Sequence, residues 1–365
     1  MVLNALPNIG PVTLRRLLEA FDGDAARILA ASSRELERVH GVGKVISESV
    51  TGWRGHFDLE KEEKALAERG GKFVVAGDEG YPQLLNDIHD PPTGLYSLGD
   101  YAGGGMAIAI IGSRRATLYG LAVAKRLAGD LARLGFWIVS GGARGIDAAA
   151  HEGALDVGGK TAVVLGCGVD IVYPPEHLDL FRRIAAQGVV LSEFALGRRA
   201  DKQSFPMRNR IIAGMSRAIV VVESDVNGGS MITASQAVEQ GKEVFAVPGR
   251  IDQASSRGCH RLIRDTEAKL LTCAEDILEE LQMTAQLDIK HDQPVPASAA
   301  SPEILEALGE DAKKVYALLA GTKAEHPDEL ASRANLPSAR VSASLLLLEL
   351  KHLVVKRADG RFEAR

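Results

Sequence analysis

Between residues 57 and 283, short runs of β-branched and small apolar residues alternate with longer stretches whose apolar positions recur every three or four residues. The runs fall at 107–111, 136–139, 161–165, 189–191, 218–222 and 243–247. They are mostly apolar rather than apolar at every second position, the mark of strands buried on both faces. The amphipathic stretches between them supply the crossover helices that parallel neighbours need. The pattern predicts an α/β core, an extended Rossmann-like parallel sheet whose six strands leave through glycine-rich or polar turns.

The flanks follow other rules. Residues 1–56 carry two hairpin signals, Leu6-Pro7-Asn8-Ile9-Gly10-Pro11 ahead of LRRLLEAF and His40-Gly41-Val42-Gly43-Lys44 ahead of VISESV. Each reads as helix, glycine turn, helix, so this segment is expected to form a SAM-like helix-hairpin-helix domain. Such turns either offer backbone N–H groups to phosphates or simply pack helices. The stretch DLEKEEKALAERGG, with Leu59 and Leu66 too sparse for a coiled coil, predicts one solvated helix. Residues 284–302 have the Pro, Ala and Ser content of a linker. Residues 303–365 predict helices near 310–320, 327–333 and 338–350, then two short strands around Asp359-Gly360, which is the order of a winged helix.

Composition narrows the class. With 46% hydrophobic and 25% charged residues in 365, the chain is that of a globular protein. No eighteen-residue apolar run occurs, and the start MVLNALPNIGPVTLRRLL has neither a basic leader nor a small-residue cleavage site, so a cytoplasmic protein without membrane contact is expected. Cys167, Cys259 and Cys273 are odd in number and lack paired spacing, which argues against a disulfide framework or a metal site; no cofactor is expected. The net charge of −5 shows that the chain is not basic overall. Charge is nevertheless local: residues 197–217 hold Arg198, Arg199, Lys202, Arg208, Arg210 and Arg217 against Asp201 alone.

Candidate chemistry gathers at the strand exits, where backbone N–H groups and helix N-termini attract anions. One exit carries Gly112, Ser113 and Arg114; the next Gly141, Gly142 and Arg144; a third Gly229 and Ser230. A single glycine turn needs no ligand, but arginine beside two of them adds a charge-assisted phosphate contact that a turn does not require. Pro206 sets the start of a short helix, placing Arg208, Asn209 and Arg210 in its first turn and pointing them at the cleft. Lys202 precedes it. Aromatic platforms near these loops are limited to Phe205, Tyr119 and Tyr173.

In chain order the motifs are GSR, SGGARGIDAAAHEGAL, LGCGVDIVYPPEH, LSEF, FPMRNRIIAGMSRAIVVVES, GGSMITASQAVEQGKEVFAVPG and GCHRLIRD. Over residues 73–275 this resembles the DNA-processing protein A (DprA/Smf) family. The resemblance implies a dimerising Rossmann-like protein that binds single-stranded DNA in a positive pocket and helps the RecA recombinase load onto DNA arriving in natural transformation. Carried over by motif, the pocket comprises Gly112, Ser113, Arg114, Gly141, Gly142, Arg144, Lys202, Arg208, Asn209, Arg210, Gly229 and Ser230. The chain departs from the family at Pro175, where certain members have lysine, at His260, and at Glu267-Ala268-Lys269. Its winged unit has ten basic and ten acidic residues and a mostly apolar third helix, which favours a protein contact over base reading.

The sheet also resembles that of LOG-type phosphoribohydrolases, whose motif is PGGxGTxxE. Here Met231 replaces the second glycine and Ser235 stands where the carboxylate belongs, so no catalytic residue is expected. Glu193, Glu223 and Asp147 are the remaining carboxylates near the exits. A dinucleotide oxidoreductase is disfavoured because Gly112-Ser113-Arg114-Arg115 is not a GxGxxG turn.

Overall fold

The structure, a computed structural model, describes residues 1–102, 104, 106–266, 268–283, 308–319, 325–350, 353–356 and 361–364. The expected linker at 284–302 and the Asp359-Gly360 turn lie outside these. Residues 1–287 and 288–365 are separate units.

The first unit begins with α1 (Val2–Ala5), α2 (Pro11–Ala20), α3 (Ala25–Ala30), α4 (Ser33–Leu36) and α5 (Lys44–Thr51), broken at both glycine turns. Proline at the start of α2 removes one of the N–H groups that a helix leaves open, and a Ser32–Glu35 capping box on α4 satisfies others. Leu14, Leu17, Ile28, Leu36 and Val50 bury against one another. The Pro7 carbonyl accepts from Ser49 Oγ at 2.9 Å, tying the first turn to α5. The Lys/Glu stretch forms α6 (Leu59–Ala67), which buries Leu66 alone.

Nine strands follow: β1 (Gly71–Val75), β2 (Gly94–Gly99), β3 (Ala107–Ile111), β4 (Trp137–Ser140), β5 (Thr161–Leu165), β6 (Val189–Ser192), β7 (Ala218–Val221), β8 (Glu243–Ala246) and β9 (Lys269–Leu270). All six expected strands are present to within one residue at either end. They lie in the order β1-β2-β6-β5-β4-β3-β7-β8-β9, parallel from β6 to β9. The mostly parallel sheet gains an antiparallel edge, where β2 runs antiparallel to both β1 and β6. Strands β3, β4, β5 and β7 are buried along their whole length, as their mostly apolar runs require.

The helices of this sheet are α7 (Leu118–Arg133), α8 (Ile146–Asp156), α9 (Leu178–Gln187), α10 (Ser204–Gly214), α11 (Gly229–Glu239), α12 (Ala254–Asp265) and α13 (Ala274–Glu280). From β3 the chain runs outward through β4 and β5 to β6, then returns to β7 on the other side of β3. The direction of winding therefore reverses between β3 and β7. In open α/β sheets the crevice beyond the carboxyl ends of two such strands is the natural ligand position.

His151 of α8 is fully buried; its Nδ1 lies 2.7 Å from Thr161 Oγ1, which itself donates to the Ile138 carbonyl. Burial pushes the imidazole pKa down to about 3. Below the unfolded value of about 6.5 only the unfolded chain takes up this proton, so His151 makes stability fall on acidification by up to roughly 1.4 kcal/mol per pH unit. His151→Asn, which keeps a donor near Thr161, is expected to flatten the stability profile between about pH 6 and 4 by that amount. Denaturant titrations at successive pH values check this; an unchanged slope would show that other groups dominate acid unfolding.

The second unit has α14 (Glu310–Leu319), α15 (Pro327–Ala334) and α16 (Ser338–Leu350), followed by the antiparallel pair β10 (Val354–Lys356) and β11 (Phe362–Ala364). Val315, Leu319, Leu330, Val341, Leu345, Leu348 and Phe362 form its core. No described helix is long and apolar enough to cross a membrane.

Candidate functional site

An open cleft of about 430 Å³ occupies the crevice at the ends of β3 and β7. Its first wall is the loop after β3. Gly112 is required there: a Cβ would lie 2.6 Å from Ile146 Cγ1 and 2.8 Å from the Glu223 carbonyl. That close approach lets Ser113 N–H donate to Glu223 O at 2.7 Å and staples the loop to the exit of β7. The Glu223 carboxylate accepts from Thr117 N–H at 2.9 Å and Thr117 Oγ1 at 2.6 Å, fixing the start of α7. It is a capping group, already satisfied.

The second wall is the β7 exit. Ser230 Oγ donates to Ser224 Oγ at 2.8 Å, and α11 begins at Gly229 with no side chain capping it. Gly229 and Ser230 line the cleft, so the positive end of α11 faces the space where an anion would lie.

The third wall is α10. It starts at Ser204, so Pro206 lies in its first turn and Arg208–Arg210 in its second, not in the first turn as the sequence suggests. At about 100° per residue three consecutive side chains cannot share one face. Lys202, Phe205, Arg208 and Asn209 line the cleft. Arg210 turns away. Its Nη2 lies 2.6 and 2.5 Å from the two Glu193 carboxylate oxygens and its Nε 3.2 Å from Asp90, all within the protein. The placing of Arg210 at the cleft is therefore corrected, and Glu193 has the partner that the sequence did not disclose.

Arg208 is buried in the floor. Its Nη1 donates to the carbonyls of Gly141, at 2.6 Å, and Val164, and its Nε to Asn209 Oδ1 at 3.2 Å. Burial lowers its pKa to about 10, against the opposing charge of Asp147. Burial likewise raises the Asp147 carboxyl, and Arg208 counters it. A Cβ on Gly141 would sit 2.5 Å from Arg208 Nη1, so glycine here makes room for the guanidinium rather than for a ligand. Gly141 lines only a small adjoining cavity with Arg114, Tyr173, Phe205 and Arg208. Two further residues expected in the pocket stand outside its lining. Gly142 presents its carbonyl to His177 Nδ1 at 3.0 Å, and Arg144 is exposed and paired with Glu176. In both cases the turn after β4 directs the group toward Pro175–His177 instead of the cleft.

What remains for a ligand is a band of exposed cations. Arg114, Arg115 and Lys202 are all exposed, and none has an ion-pair partner among the described residues. The Arg114 guanidinium sits 5.1 Å from the centre of the Phe205 ring, which itself lies 5.8 Å from Tyr173. Arg115 was legible only as the second member of the Arg-Arg doublet, and Phe205 only as a nearby aromatic. Asp147 and Asp225 are the acids in the lining. The site can hold an anion against three exposed cations and a helix terminus, with a flat group on Phe205. Its carboxylates are engaged in capping, wall construction or the Arg210 cluster.

The family described as DNA recombination-mediator protein A matches residues 72–282, and the DprA winged helix domain matches residues 291–360. The chain belongs to the DprA/Smf family. It is 32% identical to protein Smf of Synechocystis sp. over 98% of this chain and 96% of that one. It is 41% identical to DNA processing protein DprA of Bacillus subtilis over 60% of this chain and 73% of the relative. Among solved structures, DprA from Streptococcus pneumoniae is similar with a TM-score of 0.65 and 32% identity, covering 75% of this chain and 94% of that one. DprA from Helicobacter pylori, whose structure concerns a single-stranded DNA binding mode, is similar with a TM-score of 0.52 and 31% identity, covering 58% and 96%. The switch-point cleft lies inside the DprA part of the chain.

Proposed function

We propose that the chain is a non-catalytic, cytoplasmic single-stranded DNA-binding protein that holds the strand in the switch-point cleft, protects it, and as a homodimer promotes RecA loading during natural transformation. The observation that carries the DNA half is the convergence of Arg114, Arg115 and Lys202 with the uncapped start of α11 and the Phe205 face. The recombinase half is supported by membership of a family described as a recombination mediator. Such a cleft selects single strands for a physical reason. An unpaired base reaches Phe205 freely, whereas a duplex base must first be unstacked and flipped at a cost of a few kcal/mol.

A mobility-shift comparison tests this. Single-stranded DNA is expected to bind at least about tenfold more tightly than duplex of the same length. The log–log salt slope should lie at roughly −2 to −3 for three to four phosphates neutralised on a single strand. The same preparation should release neither base nor phosphate from nucleoside monophosphates or NAD, because Glu193, Glu223 and Asp147 are all engaged. Equal affinity for duplex, or turnover that vanishes when one of those carboxylates is replaced, would overturn the reading.

A further inference from the structure

Beside the cleft, the exits of β3 and β8 carry exposed apolar side chains that its lining does not include. Leu118 and Tyr119 open α7, and Ile251 stands on the loop after β8. Leu118 is 86% exposed, Ile251 90% and Tyr119 52%. The two loops are joined: Tyr119 Oη donates to the Pro248 carbonyl at 3.1 Å, fixing the ring while leaving half of it in solvent. The loop after β8 is held in turn by His260, whose Nε2 lies 3.0 Å from Gly249 O, and α12 is pinned to the cleft wall by the bond from Gly258 N–H to Ser224 O, at 2.7 Å. Aliphatic side chains this exposed on ordered backbone are surface that water solvates poorly.

The charges around these side chains favour one occupant. Arg115, three residues before Leu118, lines the cleft, and Arg257 is exposed on α12 next to Gly258; neither has an ion-pair partner among the described residues. Arg250 is spoken for by Asp252. A fixed aromatic ring and two aliphatic side chains, flanked by free arginines and continuous with an anion-binding cleft, fit alternating bases and phosphates. Three apolar side chains are few for a stable subunit contact, which buries roughly 800 Å² per partner.

We propose that Leu118, Tyr119 and Ile251 form a second base-binding subsite, filled by the nucleotides that follow those in the cleft, with Arg115 as the phosphate contact joining the two. The proposal rests on the reading of the cleft as a single-strand site and gives the strand a direction across the sheet, from β3 toward β8.

The test is the dependence of affinity on oligonucleotide length, read by fluorescence anisotropy with oligo-dT. The full chain should gain about tenfold between roughly four and roughly ten nucleotides. The double variant Leu118→Ser/Ile251→Ser, changed only at exposed positions, should lose that gain while binding the short oligomer within twofold of the parent. With a bromodeoxyuridine label, photocrosslinks to the peptide containing Tyr119 should appear for the long oligomer and not for the short one. A double variant that keeps the length gain overturns the subsite, while short-oligomer binding that remains sensitive to Arg114→Ala leaves the cleft in place. Short-oligomer binding indifferent to Arg114→Ala overturns both. A double variant that sediments as a smaller species than the parent assigns these side chains to a subunit contact and overturns the subsite.

Discussion

Replacing Arg210 by Ala is expected to lower the stability of the protein by about 3–5 kcal/mol, the usual cost of removing one partner from a buried ion pair. Arg210 meets both oxygens of Glu193 and approaches Asp90, and both Arg210 and Glu193 are buried. Without the guanidinium, Glu193 must stay charged in an apolar surrounding or take up a proton. Burial already raises its pKa, and Arg210 is the main influence holding it down. The sign follows. In the variant the folded state binds this proton more tightly than the unfolded chain, so stability falls as pH rises above about 4.3, and the defect is smaller at pH 5 than at pH 8. The region has a second role, since the Glu193 carbonyl accepts from Asn4 Nδ2 at 2.5 Å and the His89 carbonyl from Arg15 Nη1 at 2.9 Å. These bonds seat the N-terminal helices on the sheet next to the cluster. Chemical denaturation of the full chain measures the loss. Adding Glu193→Gln to Arg210→Ala should restore part of it by removing the stranded charge. A loss below about 1 kcal/mol at pH 8 would show that water reaches Glu193 and that the pair is not effectively buried.

The central strands were legible because β3, β4, β5 and β7 are buried on both faces and written almost wholly in apolar residues. The strands that escaped lack that signature. β2 reads GLYSLG, with glycine at both ends and a serine inside, β9 is two residues long, and β1 exposes Lys72 and Val75. Each gains its place from a neighbour already in the sheet, which no local pattern encodes. At the cleft, glycine and arginine pointed to the exits of β3 and β7 that line it, but they could not say which way a side chain turns. Arg208, Asn209 and Arg210 look equivalent in sequence. One helical residue of rotation separates a cleft wall from a buried ion pair, and the acids that claim Arg210, Asp90 and Glu193, lie far from it in the chain. Arg144 looks like Arg114 in the same way, and only the fold brings Glu176 to it.

That contrast between Arg114 and Arg144 is the sharpest test of the site. Arg114→Ala is expected to weaken single-strand binding by about 1.5–3 kcal/mol, roughly tenfold to 150-fold, the range for a hydrogen bond to a charged group. The side chain is exposed and without an acid to release, so its full charge is available to a phosphate. Its guanidinium also lies on Phe205, and losing it leaves the ring free to move away from a stacked base. Because the contact is to phosphate, the loss should be the same on any base composition and should reduce the salt slope by about 0.7. Arg114→Lys keeps the charge without the planar fork, so it should recover the salt slope and only part of the affinity. Arg144→Ala is the control: outside the cleft lining and neutralised by Glu176, it should cost less than about 0.5 kcal/mol. Equal losses in the two variants, measured on the same oligonucleotide, would move the strand out of the β3–β7 crevice and onto the turn after β4.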